Sequence, residues 1–246
     1  MRDYEIETKK RIEFIREVLN SSGAGGIVFG NSGGKDSALV GILCKMACEN
    51  TLGIIMPCES KRNFGDDLND ATTIAKQFDI KTKTLDLTSL KQLFVHTLAA
   101  DFDLTAEASA NIPPRLRMTA LYAIAAIENR LVAGTGNRSE TYMGYFTKWG
   151  DGAHDFNPIA DLTVTEIYEF LTYLNAPAHI INKSPSAGLF DGQTDEEEMG
   201  ISYESIDTFL LTGTTTAHDM TIIDKFYESS KHKRAMPITF NDNIIN

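Results

Sequence analysis

Eight consecutive residues near the N-terminus combine a glycine-rich turn with hydroxyl, ammonium and carboxylate side chains. The segment 30–37 reads Gly-Asn-Ser-Gly-Gly-Lys-Asp-Ser. An apolar run at 26–29 precedes it and another at 38–48 follows it, so we expect a strand, a tight turn and a helix N-terminus. Backbone N–H groups and the helix dipole make such a terminus an anion site. Because Lys35 adds a cation and Asp36 adds a carboxylate suited to Mg²⁺, the segment predicts a pyrophosphate site.

This segment differs from the two commoner phosphate-binding loops. The Walker A pattern requires Ser or Thr after its lysine, whereas Asp36 follows Lys35. The dinucleotide pattern G-x-G-x-x-G does not fit the spacing of Gly30, Gly33 and Gly34. The pattern S-G-G-x-D-S instead resembles the pyrophosphate loop of the N-type ATP pyrophosphatases, which split ATP between the α and β phosphates and adenylate a substrate oxygen. An ordinary glycine-rich turn is the alternative interpretation.

A second polar segment, at 134–140, follows another short apolar run and ends in the carboxylate of Glu140. Mg²⁺ typically takes one or two protein carboxylates together with phosphate oxygens of a substrate. Glu140 could therefore supply a second Mg²⁺ ligand opposite Asp36. A solvated surface acid is the other interpretation of Glu140.

Strand-like and helix-like patterns alternate along the chain and position these segments. Strands are expected at 26–29, 52–56, 83–87 and 131–133, and helices at about 12–20, 36–48, 68–78, 89–100, 114–129, 163–174, 203–210 and 218–229. This order predicts an α/β fold, a doubly wound and mainly parallel sheet with helices on both faces, in one domain spanning 1–246. Ligands should then bind at the carboxyl ends of the strands. The polar, acid-rich segment from about Asn182 to Gly200 is expected to be a mobile lid.

Composition excludes several classes of protein. The net charge is −11, from 23 basic and 34 acidic residues, which disfavours nucleic acid as a partner. The three cysteines, Cys44, Cys48 and Cys58, form no C-x-x-C pair, so neither a zinc site nor a disulfide framework is expected. No apolar stretch is long enough for a membrane span and the N-terminus lacks an apolar signal core, so we expect a cytoplasmic protein without membrane contacts.

Over nearly its whole length the chain resembles the ammonia-dependent NAD⁺ synthetases, which have the adenine nucleotide alpha hydrolase-like fold. The resemblance rests on segments 32–37, 111–118, 134–140, 146–152, 183–186, 198–203 and 232–234. It implies ATP-dependent amidation of deamido-NAD⁺ by ammonia through an acyl-adenylate, giving NAD⁺, AMP and pyrophosphate. It also implies Mg²⁺ and a homodimer, for which the apolar residues on more than one face of helix 114–127 give some support.

The resemblance also implies a set of site residues. The ATP contacts would be Gly30, Asn31, Ser32, Gly33, Gly34, Lys35, Asp36, Ser37, Thr135 and Ser186. The deamido-NAD⁺ contacts would be Arg115, Lys148, Asp155, His232 and Lys233. Asp36 and Glu140 would hold the metal, and Asp36 and Lys35 would take part in catalysis.

One position departs from the family pattern. Val164 stands where the family usually has a basic residue that meets ATP, so the ATP phosphates are expected to rely more on Lys35 and Lys183. Two other functions remain open at this point. They are another N-type ATP pyrophosphatase, such as a tRNA-modifying enzyme, and a nucleotide sensor without catalytic activity.

Overall fold

In the computed structural model, which describes residues 2–183 and 194–240, four parallel strands form one sheet. They are β1 (Gly26–Gly30), β2 (Thr51–Ile55), β3 (Lys81–Thr84) and β4 (Arg130–Ala133). Their order is β3-β2-β1-β4, and Val28 pairs with Leu52 on one side and with Val132 on the other. The parallel sheet predicted from the sequence is confirmed. Because β1 is central, the turn that follows it opens at the middle of the sheet edge.

The helices surround this sheet and include several short ones. They are α1 (Tyr4–Ser22), α2 (Lys35–Ala47), α3 (Lys61–Phe64), α4 (Asp66–Gln77), α5 (Thr88–Ala99), α6 (Ala106–Ala110), α7 (Ile112–Glu128), α8 (Arg138–Met143), α9 (Val164–Tyr173), α10 (Ala178–Ile181), α11 (Asp195–Met199), α12 (Tyr203–Thr212) and α13 (Ala217–Ser229). A 3₁₀ turn at Lys231–Lys233 follows α13. In the part of the chain that the structure describes, no helix is long and apolar enough to cross a membrane.

Alternate side chains of β1 face two apolar cores, as the period of a strand requires. Ile27 and Phe29 are fully buried on the face covered by α1, α2, α4 and α9. Val28 is fully buried on the other face, where Ala125 of α7 packs. Apolar side chains on both faces make β1 a nearly continuous hydrophobic run, which is typical of a parallel strand covered by helices. The helices on both faces were expected from the sequence.

The main differences from the sequence prediction concern short or polar elements. Strand β3 covers 81–84 rather than 83–87, because its Lys-Thr-Lys-Thr sequence is mostly exposed and carries no apolar periodicity. The segment 182–200 contains a helix, α11, whose N-cap is Thr194 in a capping box with Glu197. Residues 184–193, which make up most of the expected lid, lie outside the described residues.

A network of ion pairs joins α1 to the chain just before α9. The guanidinium of Arg11 donates hydrogen bonds of 2.7 Å to Asp161 and of 2.7 Å to Glu7. Arg2 donates to Asp161 as well and to Glu166 in α9. Partial burial acts to raise the pKa of Asp161, but Arg11 and Arg2 outweigh it, so this pKa lies below its usual value.

Candidate active site

The turn between β1 and α2 is held by contacts that depend on its small residues. Gly33 has φ of +74°, and a Cβ there would lie 2.3 Å from the carbonyl oxygen of Asp67, so this position requires glycine. The hydroxyls of Ser32 and Ser37 are 3.0 Å apart, and the N–H of Gly34 points at the Ser32 oxygen from 3.3 Å. The turn therefore brings two hydroxyls and the first N–H groups of α2 to the carboxyl end of the central strand.

The second wall of the site is the N-terminus of α8, which follows β4. Asn137 caps this helix and forms a capping box with Glu140: its side-chain oxygen accepts from the Glu140 N–H at 2.9 Å, and its own N–H faces the Glu140 carboxylate at 3.3 Å. The Asn137 amide also donates to Asp36 Oδ1 at 3.0 Å. Since Asn137 is fully buried, it fixes the two carboxylates of Asp36 and Glu140 relative to each other.

The ammonium of Lys35 lies between these two carboxylates. Its Nζ is 2.8 Å from Asp36 Oδ2 and 4.0 Å from Glu140 Oε1, and the ring of Tyr203 lies 5.8 Å from it. Burial acts to lower the pKa of Lys35, but Asp36 and Glu140 outweigh it and the pKa is raised. Burial, reinforced by the charge of Asp36, raises the pKa of Glu140 above its usual value. The sequence placed Lys35 at the ATP phosphates, whereas here it is paired with the acidic side chains.

A cavity of about 870 Å³ opens at the carboxyl ends of the strands and contains both walls. Its lining includes Gly30, Asn31, Ser32, Gly34, Lys35, Asp36, Ser37, Thr135, Glu140, Lys183, His232 and Lys233. Gly33 supports the turn from behind, against α4. The structure thus brings together most of the residues predicted for ATP, the two predicted metal ligands and two of the predicted acceptor contacts.

The remaining predicted acceptor contacts lie apart from this lining. Arg115 and Lys148 are joined at an exposed position, where Arg115 Nε points at the Lys148 carbonyl from 3.4 Å, and the Lys148 ammonium donates to the His232 carbonyl. The Asp155 carboxylate accepts from the Val132 N–H of β4 at 2.7 Å and from the Tyr122 hydroxyl at 3.2 Å. Asp155 therefore has a structural bond to the sheet in this conformation.

The sequence connects three further positions with ATP: Lys183, Val164 and Ser186. Lys183 lines the cavity but is paired with Asp67 and Asp70 of α4, at 2.8 and 2.5 Å. The apolar side chain of Val164 is buried in a cluster with Met143. Ser186 lies outside the described residues.

Sequence reasoning missed Asp207 of α12, which joins the elements behind the site. Its carboxylate accepts from the Ser139 hydroxyl at 2.5 Å and from the N–H and hydroxyl of Thr165, each at 2.7 Å. The Ser139 oxygen in turn faces the Val164 N–H from 3.3 Å. Asp207 is 2% exposed and belongs to no recognisable sequence motif. Asn137 was also missed, although the spacing of Asn137 and Glu140 is that of a capping box and could have revealed it.

The donor set at the cavity suits Mg²⁺ held jointly with a phosphate ligand. Asp36 Oδ2 and Glu140 Oε1 face the same ammonium, so a single cation fits between them. Among residues 2–183 and 194–240 there is no group of three or more His, Cys, Asp or Glu arranged to hold a metal. Two carboxylates completed by phosphate oxygens are the usual protein site for Mg²⁺. All three cysteines are free, and Cys44 and Cys58 are buried.

Comparisons with known proteins agree with this geometry. The family model described as NAD synthase matches residues 7–237. An NH₃-dependent NAD⁺ synthetase of Carboxydothermus hydrogenoformans is 47% identical over 238 residues, covering 96% of this chain and 97% of the relative. One from Archaeoglobus fulgidus is 42% identical over 241 residues, covering 96% of each.

Two solved structures are similar to the chain over almost its full length. NMN synthetase from Francisella tularensis has a TM-score of 0.93 at 34% identity and covers 98% of this chain and 100% of its own. The NH₃-dependent NAD synthetase from Campylobacter jejuni, in complex with nitrate, has a TM-score of 0.79 at 32% identity, with the same coverage.

Proposed function

The chain belongs to the NAD synthase family, and on that premise we propose that it is an ATP-dependent ligase that amidates deamido-NAD⁺ with ammonia. The observation that carries the proposal is that the turn at 30–37, which includes Asp36, lines one cavity together with Glu140. A helix N-terminus beside two carboxylates suits a nucleoside triphosphate with its Mg²⁺. The family assignment favours this function over a tRNA-modifying pyrophosphatase and over a nucleotide sensor.

The reaction has two steps. One oxygen of the nicotinate carboxylate attacks the α-phosphorus of ATP, the bond to the bridging oxygen breaks and pyrophosphate leaves. The nitrogen of ammonia then attacks the acyl carbon, the C–O bond to AMP breaks and the nitrogen loses one proton. A carboxylate is a poor electrophile, and the adenylate supplies the leaving group. The protein's share is to position the reactants and stabilise charge.

The residues of the cavity have defined tasks in this proposal. The N–H groups at Gly34 and Lys35 hold the phosphates that leave, and the hydroxyls of Ser32 and Ser37 orient them. Asp36 and Glu140 would hold Mg²⁺, whose chemistry in such a site is neutralisation of phosphate charge. His232 and Lys233 also line the cavity, and in this proposal they contact the acceptor. The assignment of Thr135 and Ser186 to ATP, and of Arg115, Lys148 and Asp155 to the acceptor, stays a prediction.

The test is an end-point assay for NAD⁺ from ATP, Mg²⁺, ammonium and deamido-NAD⁺. Asp36→Asn and Glu140→Gln should fold normally and lose activity by about a hundredfold or more, because charge at the reacting phosphates is no longer balanced. Lys45→Gln, on the outer face of α2, is the control and should keep full activity. Glutamine alone, freed of ammonia, should not replace ammonium. Near-normal turnover of either carboxylate variant at limiting Mg²⁺ would remove that residue from the metal site.

A second acceptor is favoured by one specific observation. The neighbour with a TM-score of 0.93 is an NMN synthetase, so nicotinate mononucleotide is the other candidate for amidation. The two acceptors share the carboxylate that is activated and differ by the AMP half. Comparing kcat/KM for the two acids decides between them, and a preference for the mononucleotide would replace deamido-NAD⁺ in the proposal.

We also propose that the active form is a homodimer. Helix α5 has no buried residue, and large apolar side chains of α5, α7 and the turn between α5 and α6 are exposed: Leu93 is 64%, Phe102 67% and Ile127 80% exposed. Exposed apolar groups of this size favour burial against another chain. Sedimentation at micromolar concentration should report about twice the chain mass of 27.2 kDa, and a fully active monomer would refute the proposal.

The expected cytoplasmic location stays a prediction.

A further inference from the structure

The buried ammonium of Lys35 occupies the space between the two carboxylates proposed to hold Mg²⁺. Lys35 is the first residue of α2 and is 7% exposed. Its Nζ is 2.8 Å from Asp36 Oδ2 and 4.0 Å from Glu140 Oε1. A charge buried to this degree persists only when it is paired, because removing an ion from water is costly. The two acidic groups and the ammonium are therefore one electrostatic unit.

The oxygens that Lys35 faces are those left over by the protein's own hydrogen bonds. The Asn137 amide donates to Asp36 Oδ1, and the Asn137 N–H faces Glu140 Oε2. Asp36 Oδ2 and Glu140 Oε1 are the oxygens directed toward Lys35. Lys35 therefore neutralises the same two carboxylates, Asp36 and Glu140, that would hold a divalent cation.

Other cations of the cavity have different partners. Lys183 is paired with Asp67 and Asp70. Lys233 donates to the carbonyls of Gly144 and Phe146, each at 2.8 Å. The ring of Tyr203, a buried residue, lies on one side of the Lys35 ammonium and limits the room into which it can withdraw.

We propose that Lys35 is the resident cation of the Asp36–Glu140 pair in the nucleotide-free protein, and that it excludes a divalent cation until ATP binds. The Lys35 ammonium lies within 4.0 Å of both carboxylates, so it would repel a divalent ion that they held. Bound ATP would offer the Lys35 ammonium new anionic partners, and its phosphate oxygens would supply the ligands that two carboxylates alone do not provide for Mg²⁺. Metal binding is thereby coupled to nucleotide binding. The inference rests on the proposed function, because it takes Asp36 and Glu140 as the metal ligands.

The experiment is a titration of the nucleotide-free protein with Mn²⁺, with free Mn²⁺ followed by electron paramagnetic resonance. Lys35→Gln and Lys35→Met should bind one Mn²⁺ per chain about tenfold or more tightly than the natural protein, because the competing charge is gone. Lys35→Arg keeps the charge and should bind as weakly as the natural protein. Lys45→Gln is the matched control: Lys45 is on the same helix and also contacts two carboxylates, but the side chains of these partners, Glu49 and Asp79, are exposed.

A second measurement needs no variant. The natural protein should bind Mn²⁺ at least about tenfold more tightly with a non-hydrolysable ATP analogue than without it. Equally tight binding without nucleotide, or neutral Lys35 variants that bind no tighter than the natural protein, would overturn the inference. A neutral Lys35 variant that unfolds in chelator and refolds with Mn²⁺ would support the inference. If neither neutral variant folds at all, the Mn²⁺ titration of the natural protein with and without the ATP analogue decides whether the inference holds. Failure to make NAD⁺ would instead reject the proposed function, since the titration uses no acceptor or ammonia.

Discussion

Replacing Asp207 should destabilise the protein more than any exposed acidic substitution on the same helix. The first N–H groups of α9 have no partner within that helix. Asp207 satisfies the Thr165 N–H, and Ser139, itself bonded to Asp207, faces the Val164 N–H. Asp207→Ala would remove a 2% exposed carboxylate with three hydrogen bonds and leave buried donors unpaired. The cost expected for breaking such a buried charged network is about 4 kcal/mol.

Asp207→Asn should cost about half as much, because its amide oxygen still accepts from Thr165 while the charge assistance is lost. For a chain of this size, 4 kcal/mol corresponds to a fall in Tm of about 8–16 °C. Urea unfolding followed by circular dichroism, at one fixed protein concentration, measures the difference. Glu204→Ala, which removes an exposed acid from the first turn of α12, is the control and should lower the free energy of unfolding by only about 0.3–1 kcal/mol. A loss below about 1 kcal/mol for Asp207→Ala would refute the assignment of Asp207 as the link between α8, α9 and α12.

Three other substitutions test separate features. Gly33→Ala should abolish ATP binding in equilibrium dialysis, since its Cβ would meet a backbone oxygen. Gly213 has the same φ of +74° but open space around it, so Gly213→Ala is the control. It should lower the free energy of unfolding by only about 1 kcal/mol and keep ATP binding. Asn137→Ser keeps a cap for α8 but loses the bond to Asp36, so ATP turnover should fall while Tm changes little; a large fall in Tm would contradict this separation. The pKa of Asp161 is lowered in the folded protein, so this carboxylate stabilises the fold above its ordinary pKa of 3.8, and the stabilisation is lost as the pH falls further. The difference in unfolding free energy between the natural protein and Asp161→Asn should therefore shrink below about pH 4. A difference that grows in acid would show the opposite sign.

Local sequence rules were sufficient for the central part of the fold. The strand, turn and helix at 26–48 follow from an apolar run, closely spaced glycines and a second apolar run, each of which acts over a few residues. The alternation of such units predicted the parallel sheet, which is confirmed. Strand β3 was displaced in the prediction because a mostly exposed edge strand does not require an apolar pattern.

The sequence by itself also determined which chemical groups are available: the hydroxyls and glycines of 30–37, and the carboxylates of Asp36 and Glu140. Their motifs are local, and strand ends bring them to one edge of the sheet. Only the tertiary structure decided how they are paired. The Lys35 ammonium lies between the carboxylate of its neighbour Asp36 and that of Glu140, which is 105 positions further along the chain than Lys35.

Long-range packing likewise placed Asp207 beneath the site from 68 positions beyond Ser139, and turned Asp155 to the N–H of Val132. No periodicity encodes such contacts, because burial and hydrogen-bond satisfaction depend on which elements meet in space. The sequence therefore specified the groups and the frame of this site. Folding specified the partner of each charge, since a buried ion is stable only where distant segments supply its counterion.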